Sequence, residues 1–444
     1  MADKYDYDVL YIGAGHGTFD GAIPLAQKGF KIAVVEADKV GGTCPNWGCN
    51  AKIALDIPVQ LTETQKRLQN IINGDTSINW KENMANKHKV IDGLPDAISG
   101  LIESLNIKLI HGFAKLSDNH TVTVGDNSYS ADKIVIATGL RPHRLDVEGK
   151  ELAHDSKDFL NLDEMPKHVT VIGAGYIAME FATIANAAGA QVTVLMHGDK
   201  ALRQFNQEYV DMVMKDLEDK GVRFIKNADI KGFVQKDDCV TAVQLADEDV
   251  RTDYILDATG RIPNVENIGL DELGIKYDNK GIKVNDHLAT DVDNIYASGD
   301  VADTGQPKLT PTAMFESKYL TSLFSGETKD AIDFPAIPSV VFTTPRIAEV
   351  GVSVDEAKDS DEYTVEETDM TKDWYRAITK EQIAKRAYVF DKEHHLVGAT
   401  EVSDQADSVI DSILPAVALK LDQKQIGRLV HLFPSIGSDA WQSI

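Results

Sequence analysis

Two glycine-rich turns, each placed between a short apolar run and a helical stretch, narrow what this chain can fold into. The first follows Val9-Leu10-Tyr11-Ile12 and reads Gly13-Ala14-Gly15-His16-Gly17-Thr18; a second strand, Lys31 to Val35, then closes on the acid Glu36. An apolar run without polar alternation fits a strand buried on both faces, as in a parallel sheet covered by helices. Gly13 permits the tight turn, and Gly15 lets the backbone approach a pyrophosphate held at the helix N-terminus. Glu36 stands where an acid would accept a hydrogen bond from a ribose hydroxyl. Thr18 takes the place of the pattern's third glycine and Pro24 falls inside the expected helix, so packing is expected to relax or kink there without loss of the phosphate site. The unit recurs as Val169-Thr170-Val171-Ile172, then Gly173-Ala174-Gly175-Tyr176-Ile177-Ala178-Met179-Glu180, then the strand Gln191 to Leu195. Two such units imply two bound dinucleotides.

The second copy departs from the first where its ribose-binding acid would stand. Met196 and His197 occupy that place, with Lys200 and Arg203 close behind. An acid would repel a 2′-phosphate and these groups would attract one, so NADPH is expected in preference to NADH.

Between the two units, eight residues past Glu36, lies Cys44-Pro45-Asn46-Trp47-Gly48-Cys49, preceded by Gly41-Gly42-Thr43. This spacing puts a cysteine pair beside a nucleotide-bound redox ring and points to electron traffic between a flavin and a disulfide. The bland alternatives are a metal site or inert thiols. A closed zinc site needs four ligands, and the only other cysteine, Cys239, lies far along the chain in a stretch that reads as an inert strand. No metal is expected. The stretch from Asn50 to Leu55 looks helical, so its dipole, together with Lys52, is expected to lower the Cys49 thiol pKa.

Composition agrees. The 444 residues suit three domains rather than one core. A formal net charge of -25 opposes nucleic acid and anionic membrane surfaces. The N-terminus runs directly into the first strand, no apolar stretch is long enough to span a bilayer, and a cytoplasmic address is expected. In that compartment a catalytic disulfide is a better reading than a structural one.

Further motifs follow in order: Ala137-Thr138-Gly139, Ala258-Thr259-Gly260-Arg261-Ile262-Pro263-Asn264, Asn294-Ile295-Tyr296-Ala297-Ser298-Gly299-Asp300-Val301, Leu309-Thr310-Pro311, and Ile337 to Thr343. Together with the cysteine pair they make the chain resemble, over nearly its whole length, the flavoprotein disulfide reductases, which include glutathione reductase, dihydrolipoamide dehydrogenase and mercuric reductase. The resemblance implies an α/β fold with two Rossmann-like domains and a C-terminal α+β dimerisation domain. It divides the chain into a split FAD domain (1–150 and 282–333), an NADPH domain (151–281) and an interface domain (334–444) of a homodimer. It implies that FAD is held by Gly13, Gly15, Gly17, Glu36, Gly42, Thr43, Lys52, Ala114, Thr138, Gly139, Asp300 and Ala313. For the nicotinamide cofactor it implies Gly173, Gly175, Ile177 and Gly260, beside His197 and Arg203. Cys49 would be the thiol nearer the flavin, Cys44 the one that meets the acceptor, and electrons would pass from NADPH through FAD and the disulfide to that acceptor.

Two departures from the family matter. Its members carry a lysine four residues after the second cysteine, paired with a glutamate; here Glu180 is present, but the fourth position is Ile53 and Lys52 comes one residue early, about 100° away around a helix. The family's C-terminal His-Pro-Thr-x-x-Glu signature, completed across the dimer, becomes Phe433-Pro434-Ser435-Ile436-Gly437-Ser438. Phenylalanine cannot transfer a proton, and losing a positioned acid typically costs about 10² to 10⁴ in rate. His431, two residues before Phe433 in an extended segment, is the candidate replacement, with Asp439 in place of the glutamate; the alternative is a satisfied interface histidine. Without the acid, the acceptor is expected to be a soft metal ion, a quinone, or a disulfide or persulfide whose leaving thiol is already acidic. The chain has no C-terminal cysteine pair, which argues against mercury handling. A flavin that serves acceptors directly, with the cysteines as tuner, and a low-turnover redox sensor are the rival readings. Three further stretches read as structural: His394-His395 as a hairpin turn rather than a metal site, the acidic run from Asp355 to Asp373 as solvated surface, and Trp47 as packing or substrate-face shape.

Overall fold

The computed structural model describes residues 4–236, 241–441 and 444, and its chain divides into two compact units. The first comprises Met1–Ala54, Ala85–His143 and Arg261–Phe334. Its seven-stranded sheet runs Lys108–His111, Ile32–Glu36, Tyr7–Ile12, Asn127–Ile136, Thr121–Val124, Ala114–Asp118, with Ile295–Ala297 also paired to Asn127–Ile136. The central pairings are parallel, with Leu10 opposite Ala33 and Ile134. Strand alternation splits the apolar run between two cores: Leu10, Ile12, Ala33 and Val35 bury one face, and Val9, Tyr11, Ile32 and Val34 the other. This is why the run carries no polar residue.

The helix His16–Gln27 covers the second face and crosses the helix Thr310–Phe324 closely. A Cβ on Gly21 would overlap the carbonyl of Ser317, and one on Gly17 would lie 3.0 Å from the Ser298 carbonyl. Close packing therefore falls on Gly17 and Gly21, while Thr18 is buried with its hydroxyl donating to Gly13 O at 2.8 Å. The helix continues through Pro24 to Gln27, with the proline in its last turns.

The second unit comprises Leu55–Met84, Arg144–Gly260 and Pro335–Ile444. It holds a five-stranded parallel sheet ordered Arg223–Ile225, Gln191–Leu195, His168–Ile172, Tyr254–Asp257, Ala153–His154, and a three-stranded antiparallel sheet of Ile230–Gln235, Thr241–Leu245 and Asp249–Thr252. Its C-terminal part is a five-stranded antiparallel sheet, Ser339–Val341, Arg346–Gly351, Leu396–Ser403, Lys385–Asp391, Tyr363–Asp369. The helix Ala406–Leu419 buries Val409, Ile410 and Ile413 against that sheet. Among the described residues no helix is long and apolar enough to cross a membrane.

Candidate active site

Gly41 and Gly42 both hold positive φ (97° and 65°) and turn the chain into a short helix, Thr43–Trp47, that carries Cys44. Gly48 separates it from the helix Cys49–Arg67. A Cβ on Gly48 would stand 3.0 Å from Thr43 O and 3.3 Å from Cys44 Cα, so only glycine lets the two helices meet this closely. The buried Asn46 amide donates to Val40 O (3.1 Å) and Gly42 O (2.9 Å), fixing the first helix to the preceding turn. Both cysteines are free thiols. Cys49 Sγ lies 3.5 Å from the hydroxyl of Thr310, the first residue of its helix, and the Cys44 thiol donates weakly to Asn50 Oδ1 at 3.9 Å.

The two thiols are driven apart electrostatically. A hydrogen bond from the Cys44 thiol, then the Thr310 hydroxyl and the Lys52 charge, lower the Cys49 pKa to about 6 against the opposing effect of burial. Cys44 is pushed up by the bond it gives Cys49, by burial and by the neighbouring negative charge. Above about pH 6 the reduced pair therefore holds one proton, on Cys44 rather than Cys49.

Around this pair the first unit forms a cradle. Gly13 (φ 106°) has no room for a Cβ, which would overlap Ala137 O beside Thr138, and a Cβ on Gly42 would lie 3.0 Å from Gly15 Cα. Among the described residues no side chain caps the helix that starts at His16, which leaves its first N–H groups available to an anion. Glu36 is held at the sheet end by Ala14 N (2.7 Å) and Asp38 N (2.8 Å). Among the described residues the buried Ser298 hydroxyl has no partner, and burial raises the Asp300 carboxyl pKa while Arg261 and Lys308 oppose it. Arg261 donates to Leu140 O (2.6 Å) and reaches the Thr43 hydroxyl (3.5 Å). Thr138 and Gly139 are tied to Asn264, with Thr138 donating to Asn264 O at 2.7 Å and Asn264 N to Gly139 O at 3.0 Å. Ala313 lies in ordinary contact with a Cβ built on Gly299 (φ 73°), and Ala114 is buried at the start of an edge strand. These glycine approaches, the uncapped helix and the orphaned hydroxyl fit a dinucleotide such as FAD.

In the second unit the Gly173 turn repeats the arrangement. A Cβ there would overlap Ala258 O, Gly175 starts the helix Tyr176–Ala187 without a side-chain cap and has open space beside it, and Ile177 follows half-buried. Gly260 holds φ 136°. Met196 is buried, whereas His197, Asp199, Lys200 and Arg203 are exposed. The Arg203 guanidinium folds over Gly198, 2.8 Å from a Cβ built there. Glu180 is buried and accepts from Phe342 N at 3.0 Å.

His431 stacks on Trp441, centroids 4.8 Å apart, while Phe433 is 63% exposed and tilts against Trp374. Asp439 is committed elsewhere: it is buried beside Arg386 (3.2 Å) and Arg376 (3.7 Å), which also clamp the fully buried Glu401. Asp391 closes the hairpin at His394-His395 by accepting from Glu393 N and His395 N, and Asp391, Glu393 and His395 converge there. Cys239 lies outside the described residues.

Four contributors escaped the sequence reading. Thr310 and Arg261 were inside quoted motifs, but nothing local says that they reach Cys49 and Thr43. Asn50 follows Cys49 directly and carried no signal of its own. Glu316 is 1% exposed, accepts from Gly299 N (2.6 Å) and Thr304 Oγ1 (3.2 Å), and burial raises its pKa to about 7.

Residues 7–317 match the family model for pyridine nucleotide-disulphide oxidoreductases, and residues 337–443 match that family's dimerisation domain. The chain is 31% identical to glutathione reductase of Nostoc sp., over 97% of this chain and 98% of the relative. It is equally 31% identical to dihydrolipoyl dehydrogenase of Geobacillus stearothermophilus, over 98% and 95%. Among solved structures it superposes on the HOCl-induced flavoprotein disulfide reductase RclA from Escherichia coli with a TM-score of 0.89 and 25% identity, covering 98% of each chain.

Proposed function

Because this chain belongs to the pyridine nucleotide-disulphide oxidoreductase family, whose members are enzymes, we propose that it is an NADPH-dependent, FAD-containing oxidoreductase that reduces its acceptor through Cys44 and Cys49. FAD, when bound, supplies the two-electron chemistry that couples a pyridine nucleotide to a thiol pair. Gly13, Gly15, Gly17 and Gly42 give its pyrophosphate backbone room, Glu36 binds a ribose, and Asp300 and Thr138 hold the part nearer the ring. The Gly173 turn receives NADPH, with His197 and Arg203 on its 2′-phosphate. In domain terms, residues 1–150 with 282–333 bind FAD, 151–281 bind NADPH, and 334–444 form a homodimer interface.

The observation that carries the acceptor class is Phe433, 63% exposed against Trp374 at the place of the family's proton-transferring acid, in a chain whose cysteine pair holds its proton on Cys44. Reducing an ordinary disulfide to two thiols consumes two protons. The pair supplies one, so an acceptor whose leaving group is stable as an anion suits it best. Anaerobic NADPH reduction followed by iodoacetamide labelling and mass mapping tests the route. NADPH should expose both Cys44 and Cys49 to alkylation. If neither cysteine gains label, the disulfide is off the path, and direct flavin reduction of quinones or metal ions replaces this reading.

A further inference from the structure

We propose that Asn50 is the leaving-group contact of this site: its carboxamide faces the Cys44 sulfur and hydrogen-bonds the anion that departs as Cys44 attacks the acceptor. The proposal rests on the function above and adds the residue that sets acceptor specificity. Asn50 is exposed, one residue after Cys49, at the start of the Cys49–Arg67 helix. Its carboxamide oxygen lies 3.9 Å from the Cys44 sulfur, within weak hydrogen-bond reach of a thiol that also bonds Cys49 and the Thr310 hydroxyl. A carboxamide neither gives nor takes a proton, but a half-turn about its last torsion exchanges the acceptor oxygen for an NH2 donor. The helix N-terminus and Lys52 make that location favourable for negative charge.

The step balances without an added acid. The Cys49 thiolate takes the S–H proton as the Cys44 sulfur bonds to one sulfur of an acceptor disulfide; the acceptor's S–S bond breaks, and one half departs with the electron pair onto the Asn50 amide. Cys49 then releases the proton to that anion and attacks the Cys44 sulfur, expelling the second half as a thiolate. The acceptor gains two electrons and leaves as one thiol and one thiolate. The cysteine pair is oxidised to a disulfide and loses its one proton. Stabilisation by Asn50 matters most for halves that are poor leaving groups.

The test uses the full-length holoenzyme, reduced with NADPH and mixed with three disulfides of rising leaving-thiol basicity: the bis(nitrobenzoate), the dipyridyl and the hydroxyethyl compounds. Single-turnover oxidation is read for wild type, Asn50→Leu and Asn50→Asp, after iodoacetamide labelling has verified that each carries two reduced thiols. Both variants should oxidise about 10- to 100-fold more slowly with the hydroxyethyl disulfide, as expected for a lost hydrogen bond to a charged group, and far less slowly with the nitrobenzoate. A uniform slowing across the series, or none, overturns the role of Asn50. Wild type that gains no thiols from NADPH overturns the underlying function instead, so the two failures are distinct.

Discussion

Cys49 owes its acidity to the Cys44 thiol, the Thr310 hydroxyl and the Lys52 charge, and Thr310 can be removed without touching the redox pair or a charge. Thr310→Val deletes the hydroxyl 3.5 Å from Cys49 Sγ while keeping the shape. Since a depressed thiol pKa means that thiolate is lost as pH falls through about 6, alkylation of the reduced enzyme should show its midpoint there. The variant should move that midpoint upward by under about one unit. An unmoved midpoint would assign the shift to Cys44 and Lys52 alone. Arg203, folded over Gly198, is the corresponding handle for testing the proposed nicotinamide site. Arg203→Glu should raise the KM for NADPH about tenfold relative to that for NADH; equal changes for both would remove the 2′-phosphate role.

At the scale of elements, the contact between the His16–Gln27 and Thr310–Phe324 helices ties the cradle together. Gly21→Ala would push a methyl into the Ser317 carbonyl and should cost about 1 to 3 kcal/mol in denaturant unfolding. Glu316, on the second of these helices, couples the same region to pH. Its folded pKa, about 7, is raised above the ordinary glutamate value by burial, with Asp300 adding and the Gly299 and Thr304 bonds and Lys308 opposing. The sign follows: its contribution to stability is full at pH below about 4.5 and is lost as pH rises through 7. Glu316→Gln keeps an acceptor for Gly299 N and a partner for Thr304 without the charge. Its Tm relative to wild type should therefore climb by a few degrees, on the order expected for such a change, between pH 5 and pH 8. A pH-independent difference would mean that Glu316 does not titrate in this range.

For the whole molecule, assembly is the measurable quantity. The C-terminal segment leaves Val430 97% and Leu432 80% exposed, apolar side chains on a part of the chain that matches a dimerisation domain. Light scattering should give a mass near twice the 48.6 kDa of one chain. Leu432→Asp should weaken assembly and shift the mass toward a single chain at low micromolar concentration; an unchanged mass would move the interface elsewhere. The charge of -25 acts at this scale too, since it opposes any anionic ligand at long range, so the proposed NADPH binding would depend on local groups such as Arg203.

How much of this was written in the sequence depends on the distance over which each property is decided. The strands at Val9 and Val169, the glycine turns after them and the vicinal cysteines were legible because each is a local demand: an apolar run buried on both faces, a positive φ at Gly13, a helix start after Gly48. Family membership followed from the order of those motifs. The fate of Asp439 was not legible, because a carboxylate reads alike whether it faces a thiol or, as here, two buried arginines. Nor could the sequence bring Thr310 to Cys49 or Glu316 to Gly299, since helix crossings set those contacts across separations of hundreds of residues or over a folded turn. Local chemistry determined which reaction the chain is equipped for. The lowered Cys49 pKa was legible from the helix start and Lys52, but tertiary packing decided the rest of its setting, because burial and the reach of Thr310 to Cys49 exist only in the folded chain.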